Sequence, residues 1–125
     1  MLTMSTSAPA LAPCPDKPNC VSSLATNNRQ WIEPVEFSST PDIAFQQLKQ
    51  IVLDRPRHTI VKEEGGYLRI EARSFLFHFI DDIEFQLTAD GNAIDVRSGS
   101  RSGYSDFGVN RRRIEAIRQQ FNASR

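Results

Sequence analysis

This 125-residue sequence predicts an α+β fold: an antiparallel sheet of four to five strands with two helices on one face, in the order β-α-β-β-β-β-α. Three observations carry that expectation. Two segments space their apolar residues as helices do, behind clear start signals. Four segments carry strand-like patterning. Glycine-bearing turns separate successive strand-like segments, which pairs neighbours antiparallel. The length suits one core, so residues 1–13 are expected as a flexible N-terminal tail and residues 14–125 as a single α+β domain.

Residues 1–13, M-L-T-M-S-T-S-A-P-A-L-A-P, hold no basic leader and no continuous apolar run. Neither a secretory signal nor a membrane span is therefore expected, and the expected location is cytoplasmic. The L-A-P-C stretch at 11–14 is a poor lipidation site, because no hydrophobic run precedes it and Pro13 stands where a small residue is needed. Cys14 and Cys20 bracket C-P-D-K-P-N-C, a short loop stiffened by two prolines. A disulfide is the first reading, ahead of free thiols and of half a metal site. A closed zinc site needs about four ligands, and only His58 and His78 remain as soft ones. A cytosol keeps thiols reduced, so the disulfide and the missing export signal pull against each other.

Trp31 to Phe37 alternates in the manner of a strand, but Pro34 reduces it to an edge strand or an irregular lead-in. A helix follows, with Thr40 as N-cap, Pro41 at the first position and Asp42 complementing the dipole. Ala44, Phe45, Leu48, Ile51 and Val52 form its inward stripe, and it ends near Asp54, before Pro56. His58 to Glu64, Gly65-Gly66 and Tyr67 to Arg73 read as a hairpin with Leu68, Ile70 and Ala72 facing the core. Phe75 to Thr88 reads as one long aromatic strand, with Phe79, Asp81, Ile83, Phe85 and Leu87 on one face. A carboxylate among core residues is costly, so Asp81 requires an arginine partner or a bulge that turns it outward. Asp90-Gly91 closes a hairpin onto Ala93 to Ser98, where Ile94, Val96 and Ser98 share a face. Asp106 or Asn110 caps the last helix, whose apolar side is Phe107, Ile114, Ile117 and Phe121.

Formal charge is zero, with fifteen basic and fifteen acidic residues, which removes the bulk attraction of a general nucleic-acid binder. No nucleic-acid partner is expected. The charge is unevenly placed: residues 63–95 hold eight acids against two arginines, and residues 97–125 hold seven arginines against two acids. Intramolecular pairing is the commoner cause of such polarity, and a localised acidic partner is the other.

The chemistry-bearing stretch is Arg97 to Arg113. Gly99 to Gly108 spends three glycines and three serines, a composition that lets backbone N–H groups converge on an anion. Arg111, Arg112 and Arg113 open a helix where the macrodipole favours carboxylates, so they either pair with acids elsewhere or complete an anion site. The candidate ligand-binding residues are Arg97, Ser98, Ser100, Arg101, Tyr104, Asn110, Arg111 and Arg112. The bland alternative is a polar network locking the last helix to the sheet, with Asp81, Asp82 and Asp106 as counter-charges.

His78 with Asp81 and Asp82 is a weaker acid-base or metal candidate, since neighbours on a strand point to opposite faces. There is no nucleophile elbow, phosphate loop or histidine metal motif, so no catalytic residue, metal or cofactor is assigned. The leading expectation is a binding module for an anionic small molecule or protein partner at 97–112. The alternatives are an enzyme acting on a small polar substrate at that loop, and an assembly partner with no ligand. In the enzyme reading Arg101 and Arg111 act as electrostatic clamps and Asp81 or Tyr104 carries the proton.

Three ordered motifs carry a family resemblance: P-N-C-V-S-S at 18–23, F-H-F-I-D-D-I-E-F at 77–85 and R-S-G-S-R-S-G-Y-S-D-F-G-V-N-R-R-R-I-E at 97–115. From about Cys14 to the last helix, the chain resembles the domain-of-unknown-function 1499 family. The resemblance implies no activity to transfer. It implies an exported, lipidated or membrane-anchored setting for many members, a pattern from which this N-terminus departs.

Overall fold

The computed structural model describes residues 11–124, so residues 1–10 of the expected tail lie outside the described residues. Its elements are β1 (Cys20–Ser22), β2 (Val35–Glu36), α1 (Pro41–Leu53), β3 (His58–Glu64), β4 (Tyr67–Arg73), β5 (Ile80–Leu87), β6 (Ala93–Ser100) and α2 (Val109–Ala123). The fold is α+β with an antiparallel sheet in the order β1-β6-β5-β4-β3. The three-residue β1 is one strand more than the expected order contains. Both β1 and β2 pair with β6, one after the other along the same edge.

Local chemistry explains the helix starts. Thr40 stands in extended backbone, and its side chain accepts the Ile43 N–H at 3.3 Å, with Pro41 behind it. Ahead of α2, Gly108 adopts φ 82°, a left-handed conformation that favours glycine. Asp106 accepts the backbone N–H groups of Gly108 (2.8 Å) and Asn110 (3.0 Å) and thereby caps the helix from two residues outside it. These bonds outweigh the upward push of partial burial and hold its carboxyl below the usual range.

The core lies between the helices and one sheet face, with Leu48, Val52, Ile70, Ile83, Phe85, Ile94, Val96, Ile114, Ile117 and Phe121 buried. Three expectations of register need correction. Phe107 is 86% exposed and lies outside the stripe of α2, because the chain does not turn into the helix until Gly108. Phe75 to Phe79 is not strand. Antiparallel β4 and β5 need a reversal, and these residues supply it, closed by Ser74 N–H to Phe79 O (2.8 Å) and Phe79 N–H to Ser74 Oγ (2.9 Å). In the lead-in, Ile32 and Val35 are buried while Trp31 is exposed, so the alternation breaks around Pro34. From Ile80 onward the expected phase holds, and Asp81 is buried beside Ile83 and Phe85.

The last three residues of the expected tail are packed on the sheet. Leu11 is buried, Ala12 N–H donates to Glu84 at 3.1 Å, and Arg97 donates to the Pro13 carbonyl at 3.3 Å. This strap roofs part of the sheet face that carries no helix. Glu84 also accepts from the Tyr67 hydroxyl, and burial first, then that bond, raises the phenol pKa. Cys14 and Cys20 close the strap at disulfide distance, with S–S 2.03 Å and Cα–Cα 5.7 Å. Gly99 is required alongside, because a Cβ there would meet Cys20 Sγ at 2.9 Å. Replacing both cysteines with serine is expected to lower stability by about 2 kcal/mol, the chain-entropy value for so short a loop. A urea midpoint measured with and without reductant checks this, since reductant should shift wild type and leave the variant unmoved. No helix among the described residues is long and apolar enough to cross a membrane. The cysteine pair is compatible with an oxidising compartment, so the cytoplasmic location expected from the sequence is not confirmed.

Candidate functional site

The stretch from Arg97 to Arg113 is placed by the end of β6, the loop 101–108 and the first turns of α2. Its buried centre is Asn110. The Asn110 amide donates to Asn19 O (3.2 Å), Ser100 Oγ (3.0 Å) and Asp106 Oδ2 (2.8 Å). Its Oδ1 accepts from Ser98 Oγ (2.6 Å) and Arg113 (2.8 Å). Arg113 also bridges to Asp81 at 2.8 Å, with the two side chains 12% and 13% exposed. The sequence reading left Arg113 out of its candidates, yet it is the partner that Asp81 required. Helical spacing was the usable signal, since Asn110 and Arg113 fall on the stripe of Ile114, Ile117 and Phe121.

Ser98, Ser100 and Asn110 are thus brought together, but as a satisfied internal network. The other candidates point in several directions. Arg97 lies 3.8 Å from Glu84. Arg101 holds Asp82 (2.8 and 2.9 Å) and Glu71 (2.6 Å), and these bonds raise its pKa. Burial pushes the Asp82 carboxyl up, but Arg101 and Arg69 prevail and hold it low. Arg111 donates to the carbonyls of Arg29 (3.0 Å) and Trp31 (2.9 Å), fastening α2 to the lead-in. Tyr104 stands exposed in the loop. His78 has φ 56° in the β4–β5 loop and is exposed. Among the described residues no cluster of three histidine, cysteine or carboxylate groups is placed to hold a metal.

Arg112 leads elsewhere. Its guanidinium donates to Phe107 O at 2.9 Å and lines a hollow of about 310 Å³. The hollow lies between the end of α1, the start of β3, the end of β4 and the start of α2. Arg55, Arg57, His58, Arg73, Arg112 and Arg113 are in its walls, and among the described residues no carboxylate is. Arg113 is already committed to Asp81. Arg55, Arg57, Arg73 and Arg112 make no ion pair among the described residues. Arg57, itself at φ 60°, lies over the Phe75 ring at 5.4 Å.

Two nitrogens of this wall, Arg55 Nε and His58 Nε2, are buried without a hydrogen-bond partner. Such groups each cost roughly 1–3 kcal/mol until something satisfies them. Burial and the Arg113 charge lower the Arg55 pKa. His58 Nδ1 lies 2.9 Å from Pro56 O, which fixes the proton on Nδ1 and leaves Nε2 as the bare lone pair. Burial foremost, then Arg113, Arg55 and Arg57, lower the His58 pKa against the opposing pull of the Pro56 carbonyl. Sequence reading missed Arg55, Arg57 and Arg73 because the α1–β3 connection and the end of β4 deliver them from separate parts of the chain; only the local R-P-R-H run at 55–58 marked the place.

Fold and hollow together define a single-sheet α+β domain whose concentrated surface chemistry is guanidinium. A family model described as "Protein of unknown function (DUF1499)" matches residues 10–121, and the chain belongs to that family. No curated protein and no solved structure was found to match the chain.

Proposed function

We propose that this protein is a binding module for a compact oxyanion, and that the anion sits in the arginine hollow. The observation supporting this reading is the set of four guanidinium groups without carboxylate partners around one cavity, with the unpartnered Arg55 Nε–H in its wall. Like charges held together repel, and a phosphate, sulfate or carboxylate relieves that repulsion while accepting from several forks at once. The anionic partner expected from the sequence is kept, but of the eight residues of the 97–112 loop first chosen only Arg112 belongs to this site. Arg101 and Arg111 are engaged internally, which disfavours the enzyme reading that used them as clamps.

Calorimetric titration with sulfate tests the proposal. Arg73→Gln and Arg112→Gln, both at exposed positions, are each expected to weaken sulfate roughly tenfold or more, the value of one charge-assisted hydrogen bond. Arg101→Gln is expected to leave affinity unchanged. Equal losses in all three variants, or no heat with wild type, overturn the reading.

The pH dependence has a definite sign. Sulfate keeps its charge, whereas His58 has a folded pKa below its ordinary 6.5. Without anion, the unfolded chain takes up the proton first, so this group's contribution to stability is full above 6.5 and is lost as pH falls below it. Protonation adds a positive charge to the wall of the hollow, so sulfate affinity is expected to rise as pH falls through that window, and His58→Asn to flatten the rise.

A further inference from the structure

The rim of the hollow carries a second feature. The β4–β5 loop presents Phe75, Leu76, Phe77 and Phe79, and the loop before α2 presents Tyr104 and Phe107, each between 59% and 86% exposed. Both loops lie at the same end of the sheet as the hollow. Ser74 and Val109 line both the hollow and the cleft between the two loops, Arg57 lies over Phe75, and Arg112 is held by the Phe107 carbonyl. Six large apolar side chains standing out of one surface beside unpaired arginines are not what a bare soluble surface carries.

Resting on the anion-binding reading, we infer that this end of the molecule docks on an anionic membrane surface. Phe75, Leu76, Phe77, Phe79, Tyr104 and Phe107 enter the interface, and Arg55, Arg57, Arg73 and Arg112 take lipid phosphate. Charge decides the occupant. A two-fold contact with a second copy would set these arginines against themselves, because such an interface is self-complementary. A lipid bilayer offers what both halves of the surface need, acyl chains for aromatic and aliphatic side chains and phosphates at the depth of the guanidinium groups. Only Phe79 and Phe107 line the cleft between the loops, while Phe75, Leu76, Phe77 and Tyr104 are exposed outside it, which suits an interface better than a peptide. The zero net charge of the chain is no obstacle, since the acids of this end, Glu71, Asp81, Asp82 and Asp106, are bonded to Arg101, Arg113 and the α2 cap.

Co-sedimentation with vesicles of phosphatidylcholine plus phosphatidylglycerol tests this, with phosphatidylcholine alone as the control. The full chain is expected to pellet with the anionic vesicles only. A Leu76→Ser, Phe77→Ser, Tyr104→Ser triple variant is expected to stay in the supernatant while binding sulfate as wild type does. Each arginine lost from the rim is expected to lower partitioning about fivefold. A wild-type chain that ignores anionic vesicles yet binds sulfate overturns the membrane inference and leaves the anion site standing. A chain that binds neither overturns both. Self-association abolished by the triple variant, or capture of an acidic peptide in place of vesicles, overturns the membrane assignment.

Discussion

Replacing Arg113 with methionine is expected to destabilise the fold by roughly 3–5 kcal/mol, measured as a fall in the urea midpoint. Arg113 and Asp81 bond at 2.8 Å with side chains 12% and 13% exposed, Asp81 lying on the strand face that also carries Ile83 and Phe85. Removing the guanidinium leaves a nearly buried carboxylate without its ion-pair partner, and that uncompensated charge dominates the loss of packing. Pairing Arg113→Met with Asp81→Leu should recover most of the stability, because an apolar pair of similar volume leaves no such charge. A double variant no more stable than Arg113→Met alone would show that Asp81 does not depend on Arg113.

Asn110→Ala is expected to cost a comparable amount, roughly 3 kcal/mol, although it removes no charge. The side chain serves Asn19 O, Ser100 Oγ, Asp106, Ser98 and Arg113 at once from a fully buried position. Deleting it orphans several of these groups, each at roughly 1–3 kcal/mol when buried, partly relieved where water can enter. Because both residues hold one network, the Asn110→Ala and Arg113→Met losses should fall short of additive by more than about 0.5 kcal/mol. Strict additivity would mean that the network is not a unit.

Much of the fold was legible where pattern and chemistry agreed. Thr40, Pro41 and Asp42 announced α1, and Ile94, Val96 and Ser98 gave the buried face of β6. Asp81 was recognisable as an acid on the core face that needed either an arginine or a bulge to turn it outward, and the structure supplies the arginine. Which arginine it would be was not recognisable, because the choice depends on how α2 is rotated over the sheet. The stretch Phe75 to Phe79 misled for a physical reason: aromatic density signals burial only when the backbone continues, and here it turns with His78 at φ 56°. The site was only partly legible. Arg112 was in view, but Arg55, Arg57 and Arg73 join it through tertiary packing that no spacing encodes.

The arginines divide their labour, some clasping the fold and some lining the hollow. Side-chain Nε–H resonances followed by nitrogen-15 NMR during a sulfate titration test that division most directly. Shifts are expected at Arg55, Arg57, Arg73 and Arg112, with Arg101, Arg111 and Arg118 silent. Shifts at Arg97, Arg101 and Arg111 with the hollow silent would contradict it and return the anion to the glycine and serine loop.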